Sequence, residues 1–160
     1  MSKTLHLLLS LCLLFPGAGF AQFTGVVVDV ADGDTLTVMI DRQLLKLDLS
    51  DINAPAPGQP YATRARLSLE ELCEDKTALI DDLGIGRGKH VFAHVMCDGV
   101  DAGSEQVRRG MAWVTAQPGA ATASLASIEA SAKAERRGLW NDAAPVPPWK
   151  WPRDAGTTLQ

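Results

Sequence analysis

An acid, a glycine and a second acid, in Asp32-Gly33-Asp34-Thr35, separate two short β-branched runs, Gly25 to Val30 and Leu36 to Ile40. Runs of this kind bounded by Asp and Gly read as strands joined by a tight turn, so the chain starts its fold as an antiparallel hairpin. Asp41-Arg42-Gln43 is a second turn. From Leu44 to Leu49 a third strand follows, in which Leu45, Leu47 and Leu49 alternate with Lys46 and Asp48. The result is a three-stranded meander with two carboxylates at the mouth of its first hairpin. Paired carboxylates hold hard cations such as Ca2+, and Asp and Gly are also ordinary turn residues. The turn by itself is compatible with both roles.

Beyond the meander, Asn53 to Pro60 is rich in proline and reads as a loop, since proline offers no ladder hydrogen bond. Tyr61 to Glu74 has Ala65, Leu69, Leu72 and Cys73 on one face and predicts a helix. Thr77 to Ile80 and Val91 to Met96 read as a fourth and a fifth strand, joined by a glycine-rich, mobile link from Asp81 to Gly88. Ser104 to Arg109 predicts a short helix stopped by Gly110, and Thr122 to Arg137 a longer one stopped by Gly138. A Pro/Trp tail from Pro145 to Pro152 closes the chain, and no internal repeat is visible. Five short strands with a helix after the third, followed by two more helices, predict an α+β fold: a five-stranded barrel of the OB type with about three packed helices.

Composition narrows the setting. Met1 to Ala21 has one basic residue (Lys3), an apolar run from Leu7 to Phe15 and small residues up to Ala21, the layout of a signal peptide. The run is too short to span a bilayer, and Leu11 before Cys12 is larger than a lipoprotein site usually tolerates. The expectation is therefore an exported protein, periplasmic or secreted, with no membrane span after cleavage. Residues 22–140 would form the domain and 141–160 the tail. Loss of Lys3 takes the formal charge from −4 to −5. An acidic domain is a poor non-specific binder of nucleic acid, because phosphates reward clustered Lys and Arg, although arginine pairs occur at Arg64/Arg66, Arg108/Arg109 and Arg136/Arg137. Charge therefore disfavours a nucleic-acid partner without removing it, and an unidentified protein partner remains open. Cys73 and Cys97 remain in the mature chain. An oxidising compartment favours a bridge between them over two buried thiols.

The ordered fragments Val30-Ala31-Asp32-Gly33-Asp34-Thr35-Leu36, Ile52-Asn53-Ala54-Pro55, Gln59-Pro60-Tyr61, Asp98-Gly99-Val100-Asp101, Val107 to Trp113 and Gly138-Leu139-Trp140 resemble the thermonuclease (staphylococcal nuclease-like) family. The ending Pro147-Pro148-Trp149-Lys150-Trp151 is similar to the tail of its exported bacterial members. The resemblance covers roughly Thr24 to Arg153 and implies an OB-fold barrel. It also implies Ca2+-dependent phosphodiester hydrolysis in DNA and RNA. That chemistry uses two carboxylates and a carbonyl for the ion, two arginines for the phosphoryl charge, and a glutamate for the attacking water.

Carried over residue by residue, the resemblance keeps little of that set. Asp34 matches the first metal carboxylate, with Asp32 two residues before it. Asn53 stands where the second is expected; its amide can coordinate Ca2+ but brings no charge. Ala56 stands at the glutamate position and Asp48 at that of the first arginine, a reversal of charge. His90 stands at the second arginine, with Arg87 three residues earlier as the only substitute. Glu70, Glu71, His90 and His94 are left to compensate, and each reads better as a solvated or packed residue. The resemblance thus implies a family member with a degenerate site, weak or absent Ca2+ binding, and a binding or structural role. The alternatives are an active nuclease using Arg87 and a relocated base, and a protein-binding barrel without a nucleic-acid role.

Two further features have competing readings. Trp149 and Trp151 beside Lys150 suit stacking on single-stranded bases, but a tail strapped across the barrel with its rings buried accounts for them better. Trp113 and Trp140 are core candidates. His90 and His94 share a face of a strand, yet no cysteine pair accompanies them as a transition-metal site would favour.

Overall fold

The computed structural model describes residues 22–85, 91–115 and 120–152. In chain order the elements are β1 (Gln22–Val30), β2 (Thr35–Ile40), β3 (Gln43–Leu49), β4 (Ile52–Asn53), α1 (Ala62–Cys73), β5 (Thr77–Ile85), β6 (Val91–Cys97) and β7 (Val100–Asp101). Then come α2 (Ala102–Arg108), β8 (Trp113–Val114) and α3 (Ala120–Ala134), with single 3-10 turns at Gly138–Asn141 and Pro148–Lys150.

The long strands run in the order β3-β2-β1-β5-β6, and a parallel pairing of β3 with β6 closes them into a five-stranded barrel. Closure removes the sheet edges that would otherwise be left to pair with other chains. β1 serves two partners: its first half pairs with β5 and its second with β2, and the register shifts between Val27 and Asp29 where it changes direction. The alternation read from sequence holds, with Val27, Val30, Leu36, Val38, Leu47 and Leu49 inside. Ala65, Leu69 and Leu72 of α1 belong to the same core. The expected barrel with packed helices is the observed fold.

Corrections concern the connections. Residues Asp81 to Ile85 are the second half of β5, not a mobile link; their backbone pairs with β6 from Asp81↔His94 to Ile85↔Val91. A register shift between Asp82 and Ile85 accommodates the glycine that had signalled a loop. The rest of that segment, with Arg87 and His90, lies outside the described residues, as do residues 1–21.

A second small sheet pairs β4 with β8, Asn53 opposite Trp113. Where the chain re-enters after α2, Gly110 and Gly138 cross backbone to backbone. Leu139 N donates to Gly110 O at 2.9 Å, and both glycines have positive φ, 68° and 52°. A Cβ on either would come within 2.2 Å of a backbone oxygen of the other strand of the crossing.

Cys73, at the end of α1, and Cys97, at the end of β6, form a disulfide with S–S 2.05 Å. The tail packs on the proline loop and β8: Gln59 Nε2 donates to Val146 O, and Trp149 meets buried Trp113 edge-on at 6.5 Å between ring centroids. Its rings are less covered than expected, however, since Trp149 is 56% exposed. The tail lies on the outside of Trp113, which is itself already packed against Trp140 at 5.8 Å. Among the described residues no helix is long and apolar enough to cross a membrane.

Candidate functional site

The turn between β1 and β2 is built from its own carboxylates. Ala31 N donates to Thr35 O at 3.0 Å, and Asp34 N donates to Asp32 Oδ1 at 3.1 Å. Gly33 is required by packing: a Cβ there would lie 2.5 Å from Ala65 Cβ and 2.7 Å from Ala54 Cβ. α1 and the proline loop therefore rest directly on the turn. Gln106 of α2, fully buried, completes the seat by donating from Nε2 to Gly33 O at 2.7 Å and Ala65 O at 2.9 Å.

Held in this way, Asp34 reaches across to the start of the proline loop, where Ala54 N donates to its Oδ2 at 2.7 Å. Asp34 O accepts from Leu49 N at 2.7 Å and fixes the end of β3 beside the turn. Asp48 lies opposite Thr35 in the β2–β3 register, and Thr35 Oγ1 donates to Asp48 Oδ1 at 3.0 Å. Burial, above all, raises the Asp34 carboxyl well above its usual 3.8. A hydrogen bond shared with Asp32 and the negative charges of Asp32 and Asp48 push in the same direction, against the Ala54 N–H.

Asp34, Asp48 and Asn53, singled out in sequence, line one open cleft of about 600 Å³ together with Thr35, Ser50, Asp51, Phe92 and Thr115. β3 and β6 form its floor: Asp48 is paired with Phe92. β8 delivers Thr115, whose N donates to Asp51 O at 2.8 Å. Ala56 is not among the lining residues; its N donates to Gln59 Oε1 at 3.0 Å within the proline loop. Glu70 and Glu71 are away from the cleft on α1, paired with Arg66 and Arg109. His94 is nearer, with Nε2 at 3.7 Å from Oδ2 of the cleft residue Asp51. Arg87 and His90 lie outside the described residues. Sequence reading missed Ser50, Asp51, Phe92 and Thr115. Only the position of Ser50 and Asp51 between Asp48 and Asn53 hinted at them.

The set implied for Ca2+ fits the ion poorly. It offers one carboxylate, already bonded to Ala54 N, and one neutral amide, where affinity for this ion grows with ligand charge. Among the described residues no group of three or more His, Cys, Asp or Glu side chains gathers to hold a metal. No Arg or Lys lines the cleft among those residues. The ionisable side chains among the described lining residues are those of Asp34, Asp48 and Asp51.

Comparison with known proteins agrees with the fold. The Staphylococcal nuclease homologue family model matches residues 46–142. The chain is 34% identical over 144 residues to "Micrococcal nuclease" of Shigella flexneri, covering 84% of this chain and 83% of that protein. It is 35% identical over 132 residues to an "Uncharacterized endonuclease" of Escherichia coli, covering 82% and 86%. With "Protein ParB" of Escherichia coli the identity is 31% over 153 residues, covering 89% and 86%.

Proposed function

The chain belongs to the staphylococcal nuclease homologue family, and from that premise we propose that it is an exported member whose phosphodiester hydrolysis is lost or strongly weakened. In this reading the barrel serves as a binding or structural module. The observation that carries it is the position of Asp48 in the same cleft as Asp34, with no lining Arg or Lys among the described residues. An acid there repels the charge that builds on a phosphoryl group in the transition state.

Removal of one oxyanion-type contact commonly lowers kcat by about 100- to 1000-fold. Here the arginine position is reversed to Asp48 and the glutamate position is Ala56. The two losses act on one step and need not be additive. Ca2+, when bound in this family, polarises a phosphoryl oxygen; Asp34 and Asn53 are the residues that would hold it, weakly. The leader residues, Met1 to Ala21, support export.

The test is digestion of single-stranded DNA and RNA in Ca2+ against EDTA, with Asp34→Ala as control. No metal-dependent cleavage is expected. Cleavage that needs Ca2+ and disappears in Asp34→Ala overturns the proposal. The combined replacement Asp48→Arg, Asn53→Asp and Ala56→Glu should bring Ca2+-dependent cleavage up from background.

A second reading, a working nuclease using Arg87 and a relocated base, draws on the nuclease names of the relatives and on His94 beside Asp51 at the cleft edge. It requires that Arg87→Ala and His94→Ala each abolish cleavage.

A further inference from the structure

The outer faces of β1, β2 and β3 carry an apolar row. Val26 pairs with Met39, and Met39 with Leu44, so the three stand directly opposite one another across adjacent strands. They are 45%, 43% and 67% exposed, whereas the next residues in β1 and β2, Val27 and Val38, are fully inside. Apolar side chains scattered singly on a surface are ordinary, but a contiguous row across three strands marks an interaction surface.

The neighbouring row decides what that surface fits. Asp29 pairs with Thr37, and Thr37 with Lys46. The register shift after Val27 is what sets Asp29 opposite Thr37. Asp29 and Lys46 are both exposed. They stand two strand spacings apart, about 10 Å, too far to pair with each other.

Both rows are centred on β2, with the acid on one flank and the base on the other. A two-fold axis running along β2 therefore sets each group against its complement in a second copy. Met39 and Thr37 lie on the axis and meet themselves. Leu44 meets Val26 of the second copy, and Lys46 meets Asp29 of the second copy, at both edges. At the hairpin tip Asp41 and Arg42 are adjacent and opposite in sign. Contacts that reciprocate in this way are those of an isologous interface, and sheets that pack face to face keep their strand directions close.

We propose that this face binds a second copy of the chain, giving a two-fold dimer built on Val26, Met39 and Leu44 and flanked by two Asp29–Lys46 ion pairs. Three strands about 5 Å apart and about seven residues long offer far less than the roughly 800 Å² per partner of a standard interface, so the dimer exchanges with monomer. None of these five residues lines the acidic cleft, and the association is independent of phosphodiester chemistry.

The experiment is sedimentation velocity on the purified protein from about 1 μM to about 1 mM, the range in which small interfaces exchange. A monomer–dimer equilibrium is expected. Lys46→Glu, Asp29→Lys and Leu44→Ser should each weaken it at least 10-fold without lowering the melting temperature, since all three side chains are exposed. Mixing the Lys46→Glu and Asp29→Lys chains restores opposite charges at both edges and should bring the dimer back as one chain of each kind. Met39→Cys, on the axis, should cross-link to itself on oxidation, whereas Val100→Cys, equally exposed on β7, should not. A protein monomeric throughout the range, a mixture that stays monomeric, or equal cross-linking at the two positions overturns the proposal. So does a monomer that floats with phosphatidylglycerol vesicles and loses them in Leu44→Ser, which would give the face to a membrane.

Discussion

The side-chain amide of Gln106 donates to Gly33 O at 2.7 Å and so ties α2 to the acidic turn that opens the barrel. The same nitrogen reaches Ala65 O, and its Oε1 accepts from Ser68 Oγ at 2.6 Å. One buried amide thus joins the first hairpin, α1 and α2, and its loss takes away the side-chain donor to Gly33 O. A stranded buried polar group costs about 1–3 kcal/mol. Gln106→Leu should therefore destabilise the fold by at least about 2 kcal/mol, read as a lower urea midpoint, while Gln106→Glu at low pH should recover part of the loss.

Asp34 makes stability depend on pH. Its folded carboxyl titrates well above the usual 3.8 because it is buried, bonded to Asp32 and faced by the charges of Asp32 and Asp48. Between 3.8 and that raised value the folded chain holds a proton that the unfolded chain has released. Stability from this group therefore falls as pH rises through the window, and the penalty is complete above the folded value. Asp34→Asn should raise the melting temperature at pH 7, with the gain shrinking toward zero near pH 4. A gain that grows on acidification contradicts the assignment.

The Cys73–Cys97 bridge closes a loop with a sequence separation of 24. A loop of that size restricts the unfolded chain by about 3 kcal/mol. Reduction, or Cys73→Ala with Cys97→Ala, should lower stability by that order in denaturant melts. Mass spectrometry of the non-reduced protein should show the two cysteines linked.

Trp149 contributes a ring edge to Trp113 from the tail. Edge-to-face pairs add about 0.5–1.5 kcal/mol beyond burial. With Trp149 already more than half exposed, Trp149→Ala should cost about 1 kcal/mol. Its fluorescence signature would be a red shift from newly wetted Trp113. An unchanged spectrum and melt would mean that the tail does not pack on Trp113.

Local pattern was enough for the barrel strands and helices. Gly25 to Val30, Leu36 to Ile40 and Leu44 to Leu49 fall inside β1, β2 and β3, and Tyr61 to Glu74 brackets α1, because period-two and period-3.6 burial are written in nearest neighbours. The second half of β5 was illegible because Gly84 and the acids mimic a loop, and only the pairing with β6 through a register shift overrides them. Gly33 was legible as a turn residue but not as a packing residue. The atoms that demand it belong to Ala54 and Ala65, more than twenty positions away.

The same division holds for the site. Sequence by itself determined the family resemblance, the bridgeable cysteines and the replacements Asp48, Asn53 and Ala56, since residue identity at a motif position needs no coordinates. Tertiary structure alone decided that Asp34, Asp48 and Asp51 share one cleft with Ser50, Phe92 and Thr115, and that Ala56 stands outside it. Barrel closure is the physical reason: pairing β3 with β6 and β4 with β8 joins residues from positions 34 to 115. No periodicity in a linear chain encodes which distant strands will meet, because that is set by the joint packing of the whole core.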